Sequence, residues 1–238
     1  LAHALSACHA LSHLDLSRNQ LGEEGATSLA SAIPHWPALT HLDLRQNQIC
    51  DLGFGELARA LGSASPLQYL DWSENEMTEN EAVAAMLGRL SNLHTLLWTE
   101  MAGASIGSLC APRPLMGRKS GAFGGGLTRL DVSKSVLEEE EEAALLAAAL
   151  SRAPNLASLQ LSQLNLGPAL RPLPFAAALA GALASCNRLL HFDLSWNDLG
   201  IEAVTLVLKG CGASVEELEL GGNGVHWREV LHVMWGEE

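Results

Sequence analysis

Apolar and polar positions along the chain follow two alternating periods. Short stretches such as Leu14-Asp15-Leu16 and Leu42-Asp43-Leu44 alternate strictly. Successive side chains of a strand point to opposite faces, so these predict strands with leucines inward and the aspartate outward. A helical stripe follows each one: after the first, Ala26, Leu29, Ala30 and Ile33 fall on one helix face. The strand-and-helix pair then returns. LSHLDLSRNQLGEEG at 11–25 comes back as LTHLDLRQNQICDLG at 39–53, 28 residues on.

Aligned on Leu-x-x-Leu-x-Leu-x-x-Asn-x-Leu, the chain gives eight such units. Their Asn slot holds Asn19, Asn47, Asn75, Met101, Ser135, Leu164, Asn197 and Asn223 in turn. The second inward strand slot holds Leu16, Leu44, Trp72, Trp98, Val132, Leu161, Leu194 and Leu220. Trp72 and Trp98 are therefore expected in the core. A short amide after the strand can bond backbone groups of the turn that leaves it. One strand and one helix per 28 or 29 residues stack into a solenoid, with parallel strands on the concave side and helices on the convex side.

This pattern, with its LDLSxNxLGxEG texture, resembles the leucine-rich repeat family, and its long period resembles the ribonuclease-inhibitor-type subfamily. Relatives of that kind include ribonuclease inhibitor, the repeat regions of nucleotide-sensing innate immune receptors, and the Ran GTPase-activating protein. The resemblance covers nearly the whole chain. It implies an α/β horseshoe of about eight repeats and a curved intracellular binding scaffold, without fixing the partner. A single repeat domain over 1–238, part of a longer chain, is the expected organisation.

Composition narrows the function classes. The formal net charge is −13, which disfavours non-specific attraction to nucleic acid or an anionic membrane. No run of eighteen or more apolar residues occurs, so no membrane span is expected. The five cysteines (Cys8, Cys50, Cys110, Cys186, Cys211) are odd in number and lack CxxC or Cys/His zinc spacing. Free thiols in a reducing compartment fit them best, and a cytoplasmic location is expected. The first residue is Leu1, and LAHALSACHA has the texture of a helix already under way.

Three stretches depart from the repeat. Residues 103–126 are rich in Gly and Pro, lack acids, and carry Arg113, Arg118 and Lys119. They suit a loop replacing or following one short helix, or a basic tether for an acidic partner. The run EEEEE at 138–142 falls where a helix should begin, and negative charge there is favoured by the helix dipole. Pro172 and Pro174 also stand at a helix start, which proline tolerates. The last segment, HWREVLHVMW with Trp227 and Trp235, predicts a helix whose apolar end packs on a continuation of the chain or on a partner.

The concave strands carry the candidate site. One outward column reads Asp15, Asp43, Asp71, Leu97, Asp131, Gln160, Asp193, Glu219; the other reads His13, His41, Tyr69, Thr95, Arg129, Ser158, His191, Glu217. The carboxylates are either repeat consensus or a surface for a basic partner. His13 and His41 beside Asp15 and Asp43 have zinc-ligand chemistry, but exposed histidines on a polar face are the more common case and the reading taken. Trp196, in LSWN, is expected exposed at the concave rim, where aromatic residues anchor partners.

No GxSxG, HExxH or Walker motif is present, and no nucleophile and base pair up. The expectation is a non-catalytic protein-binding scaffold with no cofactor and no metal. A Ran-type GTPase-activating protein is one alternative, with Asn19, Arg18, Asn47 and Arg45 as nearest candidates. A nuclease inhibitor is the other, because many nucleases are basic.

Overall fold

The computed structural model describes residues 7–62, 65–77, 81–101, 126–137, 140–166 and 171–226. Arg113, Arg118 and Lys119, the expected tail of a helix before residue 7, and the helix with Trp227 and Trp235 lie outside the described residues.

Eight three-residue strands line up side by side in one parallel sheet. They are β1 (His13–Asp15), β2 (His41–Asp43), β3 (Tyr69–Asp71), β4 (Thr95–Leu97), β5 (Arg129–Asp131), β7 (Ser158–Gln160), β9 (His191–Asp193) and β10 (Glu217–Glu219). Their order in the sheet is their order in the chain. A second, two-stranded parallel pair joins β6 (Val136–Leu137) to β8 (Asn165–Leu166). Register is unbroken from His13 opposite His41 to His191 opposite Glu217. Adjacent strands run parallel because each is followed by a crossover.

Among the described residues six crossovers carry helices: α1 (Gly22–Ala32), α2 (Asp51–Leu61), α3 (Glu81–Leu87), α4 (Glu140–Leu150), α5 (Pro172–Leu183) and α6 (Gly200–Gly210). Their apolar stripes face the sheet, and Ala26, Leu29, Ala30 and Ile33 are all buried. Helix α4 opens inside the glutamate run, with Glu140, Glu141 and Glu142 in its first turn, and α5 opens on Pro172. Helices α5 and α6 pack so closely that a Cβ on Gly210 would lie 2.3 Å from the Ala180 carbonyl oxygen.

The asparagines hold the stack together. Asn75 donates from Nδ2 to the carbonyls of Leu44, Trp72 and Ser73, and its Oδ1 accepts the N–H groups of Asn47 and Ile49. One side chain thus closes its own turn and clasps the preceding repeat. Asn197 does the same toward Leu161 and Leu164, and Asn223 toward Leu194, Asn197 and Leu199. Where the slot departs from Asn, Ser135 donates to the Trp98 carbonyl, while Met101 and Leu164 are simply buried.

The residue before each Asn slot has a positive φ in all eight repeats: Arg18, Gln46, Glu74, Glu100, Lys134, Gln163, Trp196 and Gly222. This conformation is unfavourable for most side chains. It persists because it aims the amide at the next repeat, as from Arg18 to the Arg45 carbonyl and from Gln46 to that of Ser73.

Candidate functional site

The outward side chains of the eight strands make the concave face, and the sheet register places both predicted columns on it. His13, His41 and Tyr69 stack: the imidazoles lie 4.0 Å apart at 14°, and His41 lies 5.8 Å from the Tyr69 ring at 17°. Arg129, on β5, and His191, on β9, continue that column, and His191 Nδ1 is 2.8 Å from a Glu217 carboxylate oxygen.

The aspartate column is less free than the alternation implied. Asp15, Asp43, Asp71, Asp131 and Asp193 each accept, through Oδ1, the amide of the residue two positions on, at 2.8–3.0 Å. Each therefore fastens the turn that leaves its strand. This explains the recurrence of aspartate before any partner is invoked; Asp-x-Ser spacing was its signal in four of the five, Asp43 being followed by Arg45 instead. Asp71 stands on the same face but is only 5% exposed. It stands where the face curves in, beside the ion pair of Arg45 with Glu74.

Crowding on this face shifts its ionisable groups. Burial raises the Asp43 carboxyl above its ordinary value, the Arg45 amide partly offsets this, and the charges of Asp71 and Asp15 add to the rise. Burial first, and the charge of His13 second, lower the His41 imidazole. Unfolded His41 therefore binds protons more readily than folded His41. Its contribution to stability is complete above the ordinary histidine value of about 6.5 and is lost as the pH falls from there through the lowered folded value. Urea midpoints should drop on acidification across this window, and His41→Phe should flatten the slope.

These histidines do not assemble a metal site. Among the described residues no group of three or more His, Cys, Asp or Glu side chains is placed to hold a metal ion. The Nδ1 atoms of His13 and His41 are engaged with Ser12 and Thr40, and Asp15 and Asp43 with their turns. The four described cysteines are free thiols.

Trp196 stands at the rim of the face, 65% exposed. Its indole lies against the backbone of Gly222, where a Cβ would approach the ring to 2.6 Å and φ is +72°. Only glycine combines that backbone with that clearance.

Sequence reasoning did not find a cavity on this face. A cavity of about 320 Å³ opens over β3, β4 and β5. Leu97 and Asp71 line it, with Thr99, Ser133 and Gln160, and two ion pairs between neighbouring repeats edge it: Arg45 with Glu74, and Lys134 with Glu100. The interruption of the acid column at Leu97 was its only mark in the sequence. Of the residues nearest to a GTPase-activating arrangement, Asn47 is fully buried and clasps the Leu16 carbonyl, and Arg45 is paired.

The family described as Leucine Rich repeat matches residues 7–30 and 37–58. Comparison with the curated proteins finds no match. Among solved structures, an internalin C2 from Listeria monocytogenes str. 4b F2365 is similar at 16% identity, over 92% of this chain and 83% of its own, with a TM-score of 0.47. The plant peptide hormone receptor RGFR1, in complex with RGF2, is similar at 15% identity, over 87% of this chain and 32% of its own, with a TM-score of 0.42. Among the described residues no helix is long and apolar enough to cross a membrane. The chain carries leucine-rich repeats, and its fold is an α/β leucine-rich repeat solenoid of about eight units.

Proposed function

We propose that the protein is a non-catalytic scaffold that binds another protein on its concave face, as a module of a larger intracellular assembly. One observation carries this reading: eight strands in continuous register present a polar, predominantly acidic face that no element of the described chain covers. Such a face complements a basic partner, because opposed charges steer encounter and fix orientation. The 28-residue period and the LDLSxNxLGxEG texture support the ribonuclease-inhibitor-type subfamily. The test is recovery of partners from the source cell's extract, with cross-links mapped by mass spectrometry. Links from a stoichiometric partner to Lys134 or to photo-reactive groups on the concave strands support the reading. Links confined to the helices count against it.

Trp196 is the expected anchor of this interface. Exposed aromatics at a rim flanked by charge are frequent hot spots, and truncating one costs about 2 kcal/mol or more of binding energy. Trp196→Ala should therefore weaken partner binding roughly 30-fold, since about 1.4 kcal/mol is tenfold. Its melting temperature should stay close to that of the parent. A matching fall in stability would make Trp196 a packing residue instead.

A nuclease inhibitor is the second reading, favoured by the same acidic face. Inhibition of basic ribonucleases at stoichiometric concentration would select it. The GTPase-activating reading has weaker support, because the asparagine and arginine of the second repeat are held in structural bonds. GTP hydrolysis by small GTPases, unchanged on adding the chain, would remove it.

A further inference from the structure

The second outward column of the concave face begins as a stack of rings and then stops. His13 and His41 lie face to face at 4.0 Å and 14°, and Tyr69 follows at 5.8 Å and 17° from His41. Near-parallel rings on neighbouring strands have their normals running across the strands. One face of Tyr69 is therefore turned to His41 on β2, and the other to Thr95 on β4. No ring covers that second face among the described residues. Thr95 is half-buried and too short to cover it. Arg129, exposed on β5, is the next residue of the column.

The break has the dimensions of one ring. Neighbouring strands lie about 4.8 Å apart, so Tyr69 and Arg129 are roughly 10 Å apart at the backbone, with Thr95 midway. A planar group centred above Thr95 would thus lie about 5 Å from each of them. That value falls between the two ring separations the column already uses, 4.0 and 5.8 Å. Arg129 does not close the slot itself, since its guanidinium enters no ion pair and stacks on no ring among the described residues. Its charge nevertheless reaches the phenol. Burial first, then the charges of Asp71 and Asp43, raise the Tyr69 hydroxyl, and Arg129 opposes them. One wall of the slot is an aromatic face with carboxylates beside it, and the other is a cation.

We propose that this slot receives an aromatic side chain of the protein partner, a proposal that rests on the scaffold reading above. The incoming ring would lie on Tyr69 as the fourth of the stack, in the offset arrangement that ring quadrupoles favour. Arg129 would close over its other face, where the negative π cloud attracts a guanidinium. The same walls disfavour other occupants. A lysine or arginine would stand against Arg129, and a carboxylate against Asp43 and Asp71. An aliphatic side chain would fill the space but gain neither the ring stack nor the cation contact. A nucleobase has the right shape, but the phosphates it brings meet a chain of net charge −13.

The test uses the full chain and two blocked tripeptides, acetyl-Gly-X-Gly-amide with X as phenylalanine or cyclohexylalanine, titrated by amide NMR. Cyclohexylalanine keeps the bulk and hydrophobicity of phenylalanine and removes its π face. The phenylalanine probe is expected to shift the amides of Tyr69, Thr95 and Arg129 saturably, and the cyclohexylalanine probe to bind at least about fivefold more weakly. Arg129→Gln should narrow that gap. Thr95→Trp should supply the fourth ring from the chain itself and abolish the shifts at Tyr69 and Arg129. Equal binding of the two probes, or shifts centred elsewhere, would overturn the proposal. That comparison is made on the unaltered chain, so it decides the matter even if a variant unfolds. Tighter binding of adenosine monophosphate than of the phenylalanine probe would assign the slot to a nucleotide and overturn it as well. A partner cross-linked to the concave strands, together with no preference for phenylalanine, would leave the scaffold standing and remove the slot.

Discussion

Asn75→Ala is expected to destabilise the protein by about 2–4 kcal/mol, against no more than about 1 kcal/mol for Asn19→Ala. The two residues hold the same slot of successive patterns, but their surroundings differ. Asn75 is 2% exposed and makes three donations and two acceptances, linking its own turn to the repeat before it. Alanine would strand the amides of Asn47 and Ile49 in a buried interface, while the Leu44 carbonyl would keep the donation of the Asn47 side chain. Unmet buried groups of this kind carry their full desolvation penalty. Asn19 is exposed, and its side-chain amide donates to the Leu16 and Ser17 carbonyls of its own turn, with no bond to another repeat among the described residues. Urea denaturation of the two variants checks the difference. Equal losses would mean that the inter-repeat clasp contributes nothing beyond closing a local turn. Because neighbouring repeats supply each other's stability, the Asn75 variant should also broaden the transition.

The strands, their facing and the inward placement of Trp72 and Trp98 were legible because period-2 alternation reports directly which side of a sheet a residue occupies. The helix starts at Glu140 and Pro172 were legible for a similar reason: dipole and φ preferences act locally. The positive φ at Arg18, Gln46, Glu74, Glu100, Lys134, Gln163 and Trp196 was not. None of those residues favours such a backbone, and the hydrogen bonds that impose it come from the next repeat. The aspartate column was half legible. Its outward facing followed from alternation, but an aspartate that caps a turn and one that awaits a partner look the same in sequence. The cavity was less legible again. Leu97 stood out in its column, yet depth depends on Arg45 reaching Glu74 and Lys134 reaching Glu100, which are side-chain placements across repeats.

Trp72→Ala is expected to cost about 3–5 kcal/mol, and Trp72→Phe to fall within about 1–2 kcal/mol of the parent. Trp72 is fully buried at the centre of an aromatic cluster, with ring centroids 4.9 Å from Phe54 and 5.9 Å from Trp98. Removing the indole would leave a large void between the sheet and α2, and flanking repeats could not collapse into it without breaking strand register. Phenylalanine refills much of that space and keeps an aromatic face toward Phe54. It also deletes a liability: Trp72 Nε1 is buried with no hydrogen-bond partner among the described residues. An orphaned N–H costs about 1–3 kcal/mol, so its removal offsets part of the packing that the smaller ring gives up. Urea midpoints for the two variants, at matched m-values, separate these terms. If phenylalanine were as damaging as alanine, the N–H would have to be satisfied in solution, and a buried water bridging it to a backbone carbonyl would be the cause to seek.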